Sequence, residues 1–246
     1  MIRLITDFDG PIMDVSERYY RVYQYCLETV RKPEQAINLL SKAEFWALKR
    51  SQIPEREIGN RSGLCDDQAL AFAKLRKQTV HTQPYLIYDK PIPGAIDTLV
   101  EIQARGYDLA VMTMRRTSEL NEAFERCNLG RFFRADRRYC LSDNYVKTAD
   151  TKDKPLLMKR ALAELPPAET WMVGDTEADI IAAKTYGIPV IAVTSGIRDR
   201  DRLSLHQPDA IAANLTEALR MIEQYRTQPA RSTVVAAADS DFAQSA

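Results

Sequence analysis

The residues of this chain best suited to chemistry are carboxylates that follow short apolar runs. Asp7 and Asp9 come directly after the run IRLIT, and Asp175 follows TWMVG, with Asp179 four residues further along. Packed carboxylates repel each other by about 4 kcal/mol per pair at roughly 4 Å and an effective dielectric near 20, so such a cluster requires a cation. Oxygen ligands favour Mg²⁺ over zinc or copper. One carboxylate beside that ion could attack phosphorus while another protonates the leaving oxygen, which is phosphoryl-transfer chemistry.

Two further polar side chains belong with these carboxylates. Thr113 follows the run DLAVM, and Lys154 precedes Pro155, which we predict at the first position of a helix, so that Lys154 lies in the loop before it. The carboxyl ends of parallel strands meet at one edge of an open sheet, and such sheets bind their ligands there. We therefore predict that the four carboxylates, the hydroxyl and the ammonium converge at that edge.

The elements that position these residues alternate along the chain. Residues 2–6 predict a core strand, and apolar residues at helical spacing predict a helix over 15–31. After Pro91, predicted helices alternate with the predicted strands YDLAVMT, TWMVGD and PVIAVT. Strands that are apolar throughout and separated by helices indicate a parallel sheet covered on both faces. The predicted fold is a doubly wound α/β domain.

An insert separates the first strand from the rest of this domain. Residues 33–82 keep a helical pattern, interrupted by the polar segment IPEREIGNRSG, and contain no convincing strand. We expect an α/β core over 1–14 and 88–226 and a helical cap over 15–87. The small and polar residues 227–246 show no sustained period, which predicts a disordered tail.

Composition excludes several classes of function. The 34 basic residues balance the 34 acidic ones, so the chain lacks the positive charge that nucleic-acid binding requires. No apolar run reaches the roughly 18 residues of a membrane span, and an aspartate interrupts the first apolar run, so we expect a cytoplasmic protein without a membrane partner. Two histidines and four scattered cysteines form no zinc, disulfide or Ser-His-Asp pattern. The sequence does not indicate an oligomeric state.

The polar residues resemble a known family in order and spacing. The segments Asp7-Phe-Asp9-Gly10, Thr113, Lys154-Pro155 and Gly174-Asp175-x-x-x-Asp179 resemble the four motifs of the haloacid dehalogenase superfamily, and the similarity extends to about residue 225. The helical insert looks like the cap of its phosphoglycolate-phosphatase-like members. The resemblance implies a Rossmann-like core and hydrolysis of a phosphoric monoester.

The resemblance also implies a role for each residue. Asp7 would be the nucleophile that forms an aspartyl phosphate, and Asp9 the general acid and base. Thr113 and Lys154 would hold the phosphoryl oxygens, with Lys154 also neutralising Asp7.

The implied metal is Mg²⁺. Asp7, the backbone carbonyl of Asp9, and Asp175 would hold it. Asp179 would contact and support these ligands without binding the metal, or would be a further carboxylate that faces the metal.

Two positions depart from the family pattern and leave alternatives open. Pro11 stands where relatives have Thr or Val, and a proline there could disturb Asp9 or remove a hydrogen bond. Arg115 and Arg116 follow Thr113, and Arg115 would be either a phosphate contact or a solvated charge. Our first hypothesis is a Mg²⁺-dependent phosphatase of a small phosphorylated metabolite, with a phosphomutase as a variant. The alternative is a catalytically silent binding or regulatory module.

Overall fold

Eight strands and eleven α-helices make up residues 1–227, the part of the chain that this computed structural model describes. The strands are β1 Ile2–Thr6, β2 Met13–Asp14, β3 Lys90–Pro91, β4 Asp108–Arg116, β5 Arg138–Leu141, β6 Glu169–Gly174, β7 Val190–Val193 and β8 Ala210–Ala212. The helices are α1 Ser16–Val30, α2 Lys42–Arg50, α3 Glu55–Arg61, α4 Asp66–Thr79, α5 Gln83–Leu86, α6 Ala95–Ala104, α7 Thr117–Arg126, α8 Asp150–Glu164, α9 Glu177–Thr185, α10 Arg200–Ser204 and α11 Leu215–Thr227.

Six strands form one parallel sheet in the order β5-β4-β1-β6-β7-β8. The side chains of each strand alternate between two buried clusters: Leu4 belongs to one and Ile5 to the other. Helices α6, α7 and α11 contribute to the first cluster and α8, α9 and α10 to the second. Because both faces of the sheet are covered by helices, the residues of its strands are mainly apolar. This confirms the predicted doubly wound α/β fold.

The helical insert has an apolar cluster of its own. Tyr23 of α1 stacks on Phe45 of α2 with ring centroids 4.6 Å apart, and Phe72 of α4 meets Tyr23 edge-on at 6.0 Å. This cluster shares no residue with the two clusters of the sheet. A separate core supports the division into 1–14 and 88–226 on one side and 15–87 on the other, which stays a prediction. Of the predicted tail 227–246, Thr227 ends α11 and the rest lies outside the described residues.

The polar segment IPEREIGNRSG was expected to interrupt the helical pattern, and this prediction is wrong. Helix α3, Glu55–Arg61, lies within it. Pro54 precedes the first turn, and Glu55 and Glu57 in that turn suit the positive end of the helix dipole. Gly59 allows α3 to approach α4 closely, since a Cβ there would lie 3.2 Å from the Cβ of Ala69.

Lys154 was predicted in a loop with Pro155 at the start of a helix, and the structure corrects this. Helix α8 begins earlier, at Asp150, and Pro155 lies inside it in the second turn. The carboxylate of Asp153 accepts hydrogen bonds from the backbone N–H and the hydroxyl of Thr148, which fixes the chain before the helix. This local bonding allows helix to form ahead of the proline.

Strand β4 is longer than predicted. It continues past Thr113 to Arg116, with an irregular register against β5 between Met112 and Arg116. Its pairing with β1 ends at Val111, so Thr113 still lies beyond the last residue paired with the central strand.

The edges of the sheet were not predicted. Strands β5 and β8 have four and three residues, which is too short for a recognisable apolar run. Among the helices described for residues 1–227, none has the length and apolar character needed to cross a membrane.

Candidate active site

A cleft with a volume of about 100 Å³ opens between the carboxyl edge of the sheet and the helical insert. Tyr19 and His81 line it from the insert. The sheet side contributes five of the six residues that the sequence singled out, namely Asp7, Asp9, Thr113, Lys154 and Asp175. The sixth, Asp179, contacts Lys154. The structure therefore brings all six predicted residues together.

Asp7 is held rigidly where β1 ends. Its backbone N–H donates to the carbonyl of Val173 at 2.8 Å, which continues the pairing of β1 with β6. Its Oδ1 accepts from the backbone N–H of Phe8 at 2.6 Å, and its Oδ2 lies 2.5 Å from Nζ of Lys154. Burial, together with Asp179 and Asp175, raises the pKa of Asp7 well above its usual value, against the attraction of Lys154.

Lys154 connects two of the carboxylates. Its Nζ also lies 2.5 Å from Oδ1 of Asp179, and its side chain is 1% exposed. Burial disfavours the ammonium, but Asp179 and Asp7 outweigh this effect and raise the pKa of Lys154. The side chain is therefore a cation fixed between Asp7 and Asp179.

Asp179 is fixed by the start of helix α9. Its Oδ2 accepts from the backbone N–H of Thr176 at 3.1 Å and from the Thr176 hydroxyl at 2.7 Å, which forms a capping box. The other oxygen stays available to Lys154. One carboxylate thus caps a helix and balances a buried ammonium.

Asp175 packs against the backbone of Gly10 and Gly196, where any larger residue would clash with its carboxylate. Its Oδ2 accepts from the N–H of Ile197 at 2.7 Å. A Cβ on Gly196 would lie 1.8 Å from that oxygen, and a Cβ on Gly10 would lie 2.3 Å from Cγ of Asp175. Gly10 also has φ +93°, a conformation that favours glycine. Ser195 donates to the carbonyl of Gly10 at 2.7 Å, which ties the two glycine segments together.

Three buried carboxylates form a group that could hold a metal ion. One ligand oxygen from each of Asp7, Asp175 and Asp179 lies within 4.8 Å of the others. Burial and the neighbouring Asp179 raise the pKa of Asp175 to about 7. Three carboxylates face one ammonium, Lys154, which leaves two negative charges when all are ionised. A donor set made only of oxygens, with this charge, fits Mg²⁺.

Asp9 is surrounded by arginines. Arg115 Nε and Nη2 lie 2.9 and 2.7 Å from its Oδ1, and Arg18 Nη2 lies 3.2 Å from its Oδ2. Burial raises the pKa of Asp9, but Arg115 and Arg18 outweigh burial and hold the pKa below its usual value. The Asp9 side chain is 25% exposed, so it still reaches the cleft.

The two arginines after Thr113 have different surroundings. Arg115 lines the cleft but is 1% exposed and ion-paired, so it is not a solvated charge. Arg116 donates to the carbonyl oxygens of Ser142, Asp143 and Tyr145 and thereby fixes the loop before α8. Thr113 is buried, and its Oγ1 accepts from the backbone N–H of Arg115 at 3.2 Å.

Sequence reasoning missed two parts of this site. The segment that holds Asp175, Ser195 to Ile197, follows strand β7, and the rule that polar residues after strands meet at one edge would have found it. Arg18 comes from helix α1 and contacts Asp9, and Asp89 comes from a linker and contacts Arg18 and Arg115. No local pattern indicates these contacts.

Comparisons with known proteins agree with this geometry. Residues 4–193 match the family described as "Haloacid dehalogenase-like hydrolase". The "Phosphoglycolate phosphatase" of Synechococcus elongatus is 25% identical over 236 residues, which cover 93% of this chain and all of that protein. "Probable phosphatase IndB" of Dickeya dadantii is 30% identical over 149 residues, 60% of each chain. A haloacid dehalogenase-like hydrolase structure from Streptococcus pneumoniae has a TM-score of 0.63 at 23% identity, covering 89% of this chain and 97% of its own. It shares the fold.

Proposed function

The chain belongs to the haloacid dehalogenase-like hydrolases, and on this premise we propose that it is a Mg²⁺-dependent phosphatase of a small phosphorylated metabolite. Its family and its phosphatase relatives support a phosphoric monoester hydrolase. The observation that carries the finer proposal is the contact of Asp7 with Lys154 in the same cleft as Asp9. Nucleophile, phosphate-binding cation and proton-transfer group thus face one space.

Asp7 is the residue that we assign as the nucleophile. Its carboxylate attacks phosphorus, the bond from phosphorus to the ester oxygen breaks, and the phosphoryl group is bound to Asp7 as an aspartyl phosphate. The N–H of Phe8 and the ammonium of Lys154 hold the two oxygens of this carboxylate. Lys154 also favours the ionised form that the attack requires, in opposition to burial.

Asp9 is assigned as the general acid and base. In the first step the leaving oxygen takes a proton from protonated Asp9. In the second step a water attacks the phosphorus of the aspartyl phosphate and gives its proton to ionised Asp9, the bond from phosphorus to the Asp7 oxygen breaks, and phosphate leaves with the Asp7 carboxylate restored. Its greater exposure at the cleft suits contact with a leaving group and with water. Thr113 and Lys154 are assigned to the phosphoryl oxygens, because a hydroxyl and an ammonium both donate hydrogen bonds.

Mg²⁺ is the cofactor that the carboxylates fit. Asp7 and Asp175, with the backbone carbonyl of Asp9, are assigned as its protein ligands, and Asp179 lies beside them. When bound, the ion would neutralise the carboxylates and the phosphoryl charge that develops during transfer. The two negative charges left by three carboxylates and Lys154 support a divalent ion.

The relatives point to a small phosphorylated substrate. A relative that aligns over its whole length is a phosphoglycolate phosphatase. Phosphoglycolate therefore belongs in the first substrate panel, together with sugar phosphates.

The test is a phosphatase assay over this panel with Mg²⁺, comparing wild type with Asp7→Asn. An amide is a far poorer nucleophile, so we expect Asp7→Asn to lose activity on every substrate. Asp97→Asn is the control, because Asp97 is an exposed carboxylate in the first turn of α6. If Asp7→Asn keeps a tenth or more of wild-type turnover, Asp7 is not the nucleophile. A folded wild type that binds Mg²⁺ but hydrolyses nothing favours the silent binding module.

A further inference from the structure

Four charged side chains, three of them buried, form a closed cluster beside the catalytic cleft. Asp9 and Asp89 provide the carboxylates, and Arg18 and Arg115 the guanidinium groups; we call these residues the Arg–Asp cluster. Arg115 donates to both Asp9 and Asp89. Arg18 Nη2 lies 3.2 Å from Asp9 Oδ2, and its Nε lies 3.0 Å from Asp89 Oδ1. Each arginine therefore bridges both carboxylates.

Most of the side chains in the cluster are shielded from solvent. The side chains of Arg18 and Asp89 are fully buried and that of Arg115 is 1% exposed, whereas Asp9 is 25% exposed. While Asp9 is ionised, two cations and two anions leave the cluster neutral. Because Asp89 adds a second negative charge, two buried guanidinium groups can pair with the single carboxylate of Asp9. Asp9 is the member that reaches the cleft.

Arg115 also contacts the backbone and side chains around the proposed reaction site. Its backbone N–H donates to Oγ1 of Thr113, which we assign to the phosphoryl oxygens. Its guanidinium carbon lies 4.9 Å from the ring centroid of Phe8, the residue between the nucleophile and Asp9. Arg115 thus contacts Thr113 through its backbone, and Phe8 and Asp9 through its side chain.

We propose that Arg115 and Arg18, held in place by Asp89, are positioning residues that fix both oxygens of Asp9 for proton transfer. This inference rests on the proposed function, since it concerns the acid and base of that reaction. Arg115 presents Nε and Nη2 to one oxygen of Asp9, a planar fork that an ammonium cannot reproduce. Arg18 restrains the other oxygen through a single contact.

Arg18 and Asp89 connect the cluster to the two passages between core and insert. Arg18 lies in α1, directly after β2, and Asp89 directly precedes β3. β2 and β3 pair with each other, with Asp14 opposite Lys90. A shift of either passage would move a group that contacts Asp9 or its arginines. The position of Asp9 is therefore coupled to both connections of the insert.

The test is a double-mutant cycle between Arg115→Lys and Asp9→Asn, read as kcat and KM on the best substrate of the panel. With Asp9 present, Arg115→Lys should lower kcat by about tenfold or more, since a positioned acid and base contributes roughly 10²–10⁴-fold, and should change KM less than about threefold. With Asn at position 9, the same substitution should change kcat less than about twofold, because its effect passes through the Asp9 carboxylate.

Arg3→Lys is the matched control for a buried arginine. Arg3 is 2% exposed and donates from Nε and Nη2 to Asp108 at 2.8 and 2.6 Å, at the opposite edge of the sheet. It should lower the melting temperature without lowering kcat. Arg18→Lys provides a second cycle with Asp9→Asn if Arg115→Lys does not fold, and it should show the same dependence on Asp9.

Equal losses of kcat with Asp9 and with Asn at position 9 would overturn the inference and leave Arg115 with a structural role only. The same holds if Arg115→Lys keeps wild-type kcat while folding normally. A wild type that hydrolyses no substrate of the panel overturns the proposed function, and the inference with it. An active wild type with additive losses overturns the inference alone.

Discussion

Lys154→Met tests whether the carboxylates of the cleft depend on the buried ammonium. Lys154 Nζ lies 2.5 Å from one oxygen of Asp7 and 2.5 Å from one oxygen of Asp179. Methionine keeps much of the side-chain length but removes the charge. Among the residues that the structure describes, the variant thus leaves Asp7, Asp175 and Asp179 without a cation in direct contact.

The size of the effect follows from burial. Each contact is worth about 6–7 kcal/mol by Coulomb's law at roughly 2.5 Å and an effective dielectric near 20, but desolvation offsets most of this gross attraction. Removing one partner of a buried ion pair costs about 3–5 kcal/mol of stability. For a chain of this size 1 kcal/mol shifts the melting temperature by about 2–4 °C, so we expect a decrease of roughly 6–20 °C.

The pH dependence gives a second measure. Burial already raises the pKa of Asp7, and loss of Lys154 would raise it further. The folded variant then binds protons that the unfolded chain has released, so its stability falls as pH rises. The deficit relative to wild type should therefore be larger at pH 8 than at pH 5.5, measured by thermal melting in chelator.

Lys147→Met is the matched control, because Lys147 lines the same cleft but pairs with Asp150 at 2.9 Å on the surface, with side chains 35% and 53% exposed. Exposed pairs contribute about 0–1 kcal/mol. The reasoning is refuted if Lys154→Met melts within about 2 °C of wild type at pH 8, or if the control loses as much.

Two further predictions concern the metal and the turn that follows β1. Mg²⁺ should raise the melting temperature more at pH 8 than at pH 5.5, because the pKa of Asp175 is raised to about 7 and its proton must leave before the metal binds. An equal increase in melting temperature at the two pH values, measured by scanning fluorimetry, would contradict this. Pro11→Thr should change kcat/KM by less than about tenfold, or 1.4 kcal/mol of barrier. The reason is that the N–H groups of Gly10, Ile12 and Met13 already close the turn through their hydrogen bonds. A larger change on the same substrate would show that Pro11 affects the catalytic residues.

The sequence allowed the sheet and the cleft residues to be predicted because both depend on local patterns. Apolar runs mark buried parallel strands, and a polar residue directly after such a run lies at the carboxyl edge, as Asp7 and Asp175 do. The start of α8 was missed because Pro155 is a strong local signal for a first turn, whereas the bonds from Thr148 to Asp153 extend the helix before it.

The Arg–Asp cluster could not be predicted for a different reason. Arg18 and Asp89 are 71 residues apart in sequence and meet only when the insert folds back to the core. An arginine on an amphipathic helix and an aspartate in a linker are ordinary surface residues by local pattern. Only the tertiary structure shows that they are fully buried and paired.

The charges of the cleft divide into two groups that differ in how their charge is balanced. Around Asp9, two arginines and Asp89 complete a neutral cluster, so that half is balanced by the protein alone. Around Asp7, the one cation in direct contact with the three carboxylates among residues 1–227 is Lys154. The remaining negative charge lies where burial already raises the pKa of Asp175 and Asp7. A buried charge without a partner is costly, so this half is balanced only by protons or by a cation. Under the proposed mechanism, this uneven distribution favours a metal ion beside Asp7 and leaves the ion-paired side chain of Asp9 for proton transfer.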